Sequence, residues 1–362
     1  MTDDILLPPR KWASPRTWIG LGIGVALLIL FAIAPLLPLS TGGILPGLLN
    51  SPGSLKVLCF VFVIAALAVS FDVVLGYGGL FSFGHALYFA LGSYGYVMSM
   101  NYLDIGFGWS VVVGIVAAAV GALLVNLVAL RASGIAFSMF TLAVTQIVFV
   151  LVYRNYFGAG GDEGLVVPYQ KLPDALVGVK NTQNVYWICL GVLLAVFLIA
   201  KWITSTKLGH MWQAVRENEL RVQVMGKNVY AVKLSAVMTG SVLAGVAGVG
   251  YSIALGSADP QVTGLFYSLG LIVMLIIGGK GRIWGAVIGA AIYVLLEQRL
   301  PALTLSEGIQ SLPDWAQIPL SEPGLLLGVI FIVFIFALPG GLASVISNIG
   351  RPKSQRVSAT GH

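Results

Sequence analysis

The sequence predicts an all-α polytopic membrane protein of about ten transmembrane helices, and three observations carry that prediction. Hydrophobic residues make up 58% of the 362 residues and charged residues 9%, with a mean hydropathy of +0.94, too little polar surface for a soluble domain of this size. Apolar runs near the ~20 residues of one crossing recur along the chain. Basic residues favour one alternate set of connecting segments and acidic residues the other.

In chain order, Trp18 to Leu39 follows Arg10, Lys11 and Arg16 and could be a signal peptide cleaved after Ala32-Ile33-Ala34. The run exceeds the roughly 7 to 15 residues of such a core and Pro35 follows the site, so it is read as a retained first span behind a cytoplasmic segment 1–17. Further spans are placed at 55–76, 79–100, 109–130, 134–153, 185–203, 230–255, 265–279, 283–297 and 323–346. The transmembrane domain then covers 18–346, with a cytoplasmic segment at 204–228 and outer loops at 154–184 and 298–322. The tail, 347–362, has the polar composition of a disordered end.

With the N-terminus in the cytoplasm, fifteen of the twenty Lys and Arg residues lie at or near the inner face, leaving Lys56, Arg154, Lys171, Lys180 and Arg299 outside. Both termini are therefore expected in the cytoplasm. The net charge of +6 reflects this topology, with the lipid bilayer as partner and no nucleic acid. Five spans on each side of the 154–184 loop imply two inverted five-helix halves. That inference rests on the count, since the halves share no convincing sequence match. Cys59 and Cys189 fall in apolar runs and read as small hydrophobes.

No GxxxxGK[ST] phosphate cradle is present, and Gly278-Gly279-Lys280-Gly281-Arg282 lacks both the spacing and the hydroxyl. Any ATP used must be bound by another subunit. HExxH and GxSxG are absent and His85, His210 and His362 are far apart, so a membrane enzyme has no catalytic cluster to rest on. An ion-coupled secondary transporter would need an intramembrane carboxylate, for which Asp72 is the one candidate.

Lys201 to Asn228 is the long charged segment of the chain. Within it Leu208, Met211, Trp212 and Val215 repeat at i, i+3, i+4 and i+7, and Val222 and Met225 resume the face after Asn218 and Glu219. Glu217 and Arg221 are spaced for an i, i+4 pair on the opposite side. The segment is either an amphipathic helix lying at the lipid interface or one whose apolar face seats in a groove on a cytoplasmic partner.

Lys207-Leu208-Gly209-His210, Ala214 through Glu219 and Gly226-Lys227-Asn228-Val229 resemble the coupling segment of the LivM-like permease subunits of bacterial ABC importers for branched-chain amino acids. Gly76 through Ala86, Gly134 through Ala143, Gly160 through Leu165, and Gly278-Gly279-Lys280-Gly281 with Gly285 through Ala290 resemble other motifs of that family in the same order, over roughly 55–345. Phe81 and Phe83 and the long 298–322 loop depart from the family pattern at places that bear on cargo, and urea and short-amide permeases share these motifs.

The resemblance implies a homologous second permease subunit, two cytoplasmic ATP-binding subunits and an extracytoplasmic substrate-binding protein, in a bacterial plasma (inner) membrane. It implies no cofactor on this chain, with ATP and Mg on the partner ATPases. It assigns ATPase coupling to Gly209, Trp212, Ala214, Arg216, Glu217, Asn218 and Glu219. Asp162 and Glu163, acidic among glycines, are either a solvated loop tip or a docking point for the binding protein.

For the pathway, Ser138, Thr141 and Thr145 form a polar stripe with Gln146 beside it, serving either as interhelical or backbone hydrogen bonds or as a wetted track for substrate. His85, with Ser82, Gly84 and Ala86 around it, allows close approach of a ligand or of a helix. Asp72 suggests a capping or interhelical bond, or substrate contact. Residues 240, 244 and 248, with Ser241 and Gly245, form a small-residue packing face, with the partner permease as one candidate surface.

Overall fold

The computed structural model describes residues 31, 33–36, 45–304, 322–337 and 340–342. The segment 1–17, most of the 18–39 span, the 305–321 part of the outer loop and the 347–362 tail lie outside the described residues.

Two compact units divide at Leu55. In the first, the described residues form a 3-10 turn at Ala34–Leu36 and a turn in which Ser51 Oγ donates to the Pro46 carbonyl over 3.3 Å, just before a helix opens at Pro52.

In the chain from Lys56 onward the architecture is helical. The helices are α1 (Pro52–Asp72), α2 (His85–Tyr102), α3 (Phe107–Ala129), α4 (Ile135–Tyr153), α5 (Thr182–Thr204) and two short ones, α6 (Lys207–Glu217) and α7 (Glu219–Val224). They are followed by α8 (Val229–Leu255), α9 (Leu265–Gly278), α10 (Ile283–Thr304) and α11 (Pro323–Ala337). Among the described residues, six helical segments are long and apolar enough to cross a membrane: Pro52–Tyr77, α3, α4, α5, α8 and Ile283–Pro301. Residues Leu265–Gly278 and Pro323–Ala337 form shorter apolar helices.

The core is the packing of α2, α3 and α8 on one another. Small residues let their backbones touch. A Cβ at Gly92 would fall on the Gly245 carbonyl, one at Gly248 on the Phe89 carbonyl, and one at Gly245 on the Ala118 methyl. Ser93 and Ser252 bond hydroxyl to hydroxyl at 2.6 Å within this seam. The small-residue face of α8 is therefore spent inside the chain, where association depends on close van der Waals contact. Helix α3 joins this core along one face only, with 22% of its most apolar stretch buried, and α4 and α5 are similarly open at 28% and 33%, against 89% for Pro52–Tyr77.

One predicted span starts in the wrong place. Helix was expected from residue 79, but α1 ends in a wide π turn at Val73–Tyr77, the chain runs without regular structure through 78–84, and α2 begins at His85. Apolar composition cannot distinguish helix from extended chain here, whereas Gly79, at φ +68°, adopts a backbone that L side chains rarely take.

Loop 154–184 is organised by short 3-10 turns and by a two-residue antiparallel pairing of β1 (Leu165–Val166) with β2 (Ser257–Ala258). Lys171 Nζ reaches the Met100 carbonyl at 2.5 Å and the Asp104 carboxylate at 2.6 Å, tying the loop to the end of α2.

Candidate functional site

Of the residues expected on the pathway, Ser82, His85, Ser138, Thr141 and Thr145 lie in or against the irregular segment 78–84. Its backbone groups lack a helical ladder, and buried irregular backbone persists in a membrane protein only when other groups satisfy it. Side chains do so here. Ser138 Oγ donates to the Phe81 carbonyl at 2.5 Å, Phe83 N–H donates to Thr141 Oγ1 at 3.3 Å, and Ser268 Oγ donates to the Phe83 carbonyl at 2.7 Å. Within the segment, Gly84 N–H donates to Ser82 Oγ at 3.1 Å. Ser268 lies ten residues, about 15 Å of helix, from the Gly278 end of α9. The segment thus joins the end of α1 to the start of α2, held between α4 and the first turn of α9.

Of the two readings of the polar stripe, the structure favours hydrogen bonding for its buried members. Ser138, Thr141 and Thr145 are buried, and Thr141 and Thr145 also donate back to the carbonyls of Ser138 and Thr141 at 2.9 and 2.8 Å. Gln146 is half-buried. His85 is buried with Nε2 2.8 Å from Ser70 Oγ, and its ring lies 5.0 Å from that of Phe71 and 6.2 Å from that of Tyr88. Ser70 Oγ donates to the Leu67 carbonyl at 2.6 Å, so His85 Nε2 carries the proton and donates to Ser70, and Nδ1 keeps a lone pair without a hydrogen-bond donor among the described residues. Sequence reasoning missed Ser70 and Ser268: each is an isolated serine in an apolar run, and no local spacing links it to a partner on another helix.

The charged segment 201–228 departs from the expected single helix. Asn218, at φ −160° and ψ 102°, ends α6 and starts α7, and its side-chain oxygen accepts the Arg221 N–H at 2.9 Å. An N-cap residue has this extended backbone and satisfies one otherwise orphaned donor. The break takes Glu217 and Arg221 out of a common helix, and Glu219 pairs instead with Lys233 at 2.6 Å.

The apolar face is also turned differently from the partner-groove reading. Trp212 is 1% exposed and donates from Nε1 to Ser235 Oγ at 2.9 Å, and Val215 and Val222 pack on Val229 with Met211, Ala214 and Val232. Gly209 sits against the Thr204 backbone. That face seats in the chain's own fold. Leu220, Val224 and Met225 are exposed beside Glu217, Asn218 and Glu219, and this mixed surface is what α6 and α7 offer outward.

Arg216 spans both regions. Its stem lies against Gly79, and its Nη1 donates to the Gly76 carbonyl in the π turn. In loop 154–184, Asp162 and Glu163 are exposed in the 3-10 turn Gly161–Glu163. Among the described residues, no group of three or more His, Cys, Asp or Glu could hold a metal ion.

Residues 53–345 match the family described as the permease component of the branched-chain amino acid transport system. The chain belongs to that family. The permease is 26% identical over 279 residues to the high-affinity branched-chain amino acid transport system permease protein LivM of Escherichia coli K12, covering 69% of this chain and 64% of that one. It is 25% identical over 227 residues to the probable LivM permease of Methanocaldococcus jannaschii, covering 60% and 62%. A ribose import permease protein, RbsC of Haemophilus influenzae, is 32% identical over 126 residues, 33% of this permease and 39% of that one. The match spans less than two thirds of the length of either LivM relative.

Proposed function

We propose that this permease is the membrane-spanning subunit of an ATP-driven importer for branched-chain amino acids in a bacterial plasma membrane. It works with a homologous second permease, two cytoplasmic ATP-binding subunits and an extracytoplasmic binding protein, and ATP and Mg belong to the ATPases. The family match over 53–345 carries this proposal. Cargo follows from the two LivM relatives, whose similarity is about twice as long as that to the ribose permease.

In this scheme α6 and α7 are the coupling element. Trp212, Gly209 and Ala214 hold it to the spans, Glu217, Asn218 and Glu219 face the ATPases, and Arg216 links it to the π turn. Substrate passes beside the irregular segment 78–84. Ser82, Ser138, Thr141 and Thr145 fix the shape of that segment, and His85 and Gln146 border the track. Asp162 and Glu163 meet the binding protein.

Uptake of labelled leucine into proteoliposomes holding the permease with its partners tests this. ATP-dependent uptake, competed by isoleucine and valine but not by ribose or urea, is the expected result. Uptake by this chain alone on an ion gradient would overturn the ATP-driven assignment, and competition by ribose or urea would overturn the cargo.

A further inference from the structure

Asp72 is the last residue of α1, wholly buried, and has no role in the scheme so far. Its Oδ1 accepts the Gly281 N–H at 2.7 Å across 209 residues of sequence, and its Oδ2 has no hydrogen-bond donor among the described residues. Gly281, at φ +78°, lies in the turn between α9 and α10, where the two helices approach so closely that a Cβ at Gly278 would strike the Gly285 carbonyl and one at Gly289 the Met274 carbonyl. Gly76, four residues beyond Asp72, has no room for a Cβ between the Asp72 carboxylate and the Gly281 nitrogen. The carbonyl of that same Gly76 is the one Arg216 grips.

One π turn therefore carries two attachments, with α6 through Arg216 on one side and the α9–α10 hairpin through Asp72 on the other. A π turn is a local irregularity often found at functional positions, and here it leaves the Gly76 carbonyl available to a side chain. A buried carboxylate is costly unless its hydrogen bonds are placed to compensate. A chain that needed only packing at this point would do as well with an apolar residue.

We propose that Asp72 is a positioning residue for transport: it fastens the Gly279–Gly281 turn to the span end held by Arg216, so that displacement of α6 moves the α9–α10 hairpin as well as α1. This rests on the coupling role given to α6 above.

The test uses the assembled complex, with ATP hydrolysis and leucine uptake measured on the same proteoliposomes. Asp72→Ala is expected to lower leucine moved per ATP hydrolysed about tenfold, the scale of one lost buried hydrogen bond, with hydrolysis stimulated by the binding protein retained. Asp72→Asn keeps an oxygen for the Gly281 N–H and is expected to restore most of that ratio. Arg216→Met keeps the stem on Gly79 but loses the donor to Gly76, and is expected to uncouple in the same way. The double variant should then lose no more than the worse single one, as for two residues acting as a unit.

An unchanged uptake-to-hydrolysis ratio in Asp72→Ala would overturn the proposal, as would equal loss of uptake and hydrolysis in an intact complex. If Asp72→Ala does not assemble, an unchanged ratio in Arg216→Met overturns it instead. Wild-type uptake that ignores ATP would count against the importer itself, separately from these variants.

Discussion

Thr141 shows how one side chain can settle a stretch of backbone on another helix. Its Oγ1 accepts the Phe83 N–H, and Thr141→Val would keep the shape while leaving that donor unpaired. The expected cost is about 1–3 kcal/mol, measurable as a lower midpoint of thermal unfolding in detergent. Gly248→Val should cost a similar ~1–3 kcal/mol by overpacking against the Phe89 carbonyl, whereas Gly191→Ala, inside α5 with nothing near its Cβ position, should raise the midpoint slightly, since alanine is favoured over glycine in a helix by up to about 1 kcal/mol. The polar stripe was legible in the sequence because 138, 141 and 145 share a helical face. Its partner was not, since Phe81 and Phe83 lie 57 and 58 residues away from the hydroxyls they meet. Spacing reports which residues share a face, and only the fold reports what that face meets.

At the scale of elements, the break between α6 and α7 is the feature most open to test. Asn218→Ala removes the cap on Arg221 N–H and should cost about 1 kcal/mol of local helix stability. Faster amide exchange across 219–224, with 229–255 unchanged, would register it; equal exchange would mean that Val222 packing alone holds α7. The 3.6-residue period of this segment was readable, and so was the polar interruption at 218–219. Which side the period served was not, because burial of Trp212 and Val215 depends on α8, and one period fits both an internal seam and an external groove. The start of α2 was hidden for a related reason: Leu80, Phe81 and Phe83 carry the apolar run across 78–84 despite its three glycines, and hydropathy is blind to backbone shape.

Across the whole molecule, charge asymmetry among the connecting segments made the membrane class readable, whereas the ties between distant segments were not. The Lys171–Asp104 clamp is one such tie. The hydrogen bond and charge of Lys171 hold the Asp104 carboxyl below its ordinary value of 3.8. A carboxyl lowered on folding contributes stability that is present above its ordinary value and is lost as pH falls through the lowered one. Asp104→Asn should therefore unfold slightly earlier than wild type at pH 7, and the difference should begin to fade near 3.8, vanish in stronger acid below the lowered value, and shrink in high salt, since Asp104 is exposed. The bond from Ser268 to Phe83 has a different kind of consequence, one that concerns time. The two residues are 185 positions apart, so at 5 to 20 residues per second the ribosome needs roughly 10 to 40 s to deliver the serine after the carbonyl it will satisfy has been made. Until then the nascent chain holds the Phe83 carbonyl without the hydroxyl that satisfies it, a group that lipid cannot accommodate. Early biogenesis must shelter it in water or beside the insertion machinery, and the 78–84 segment becomes a late-setting joint.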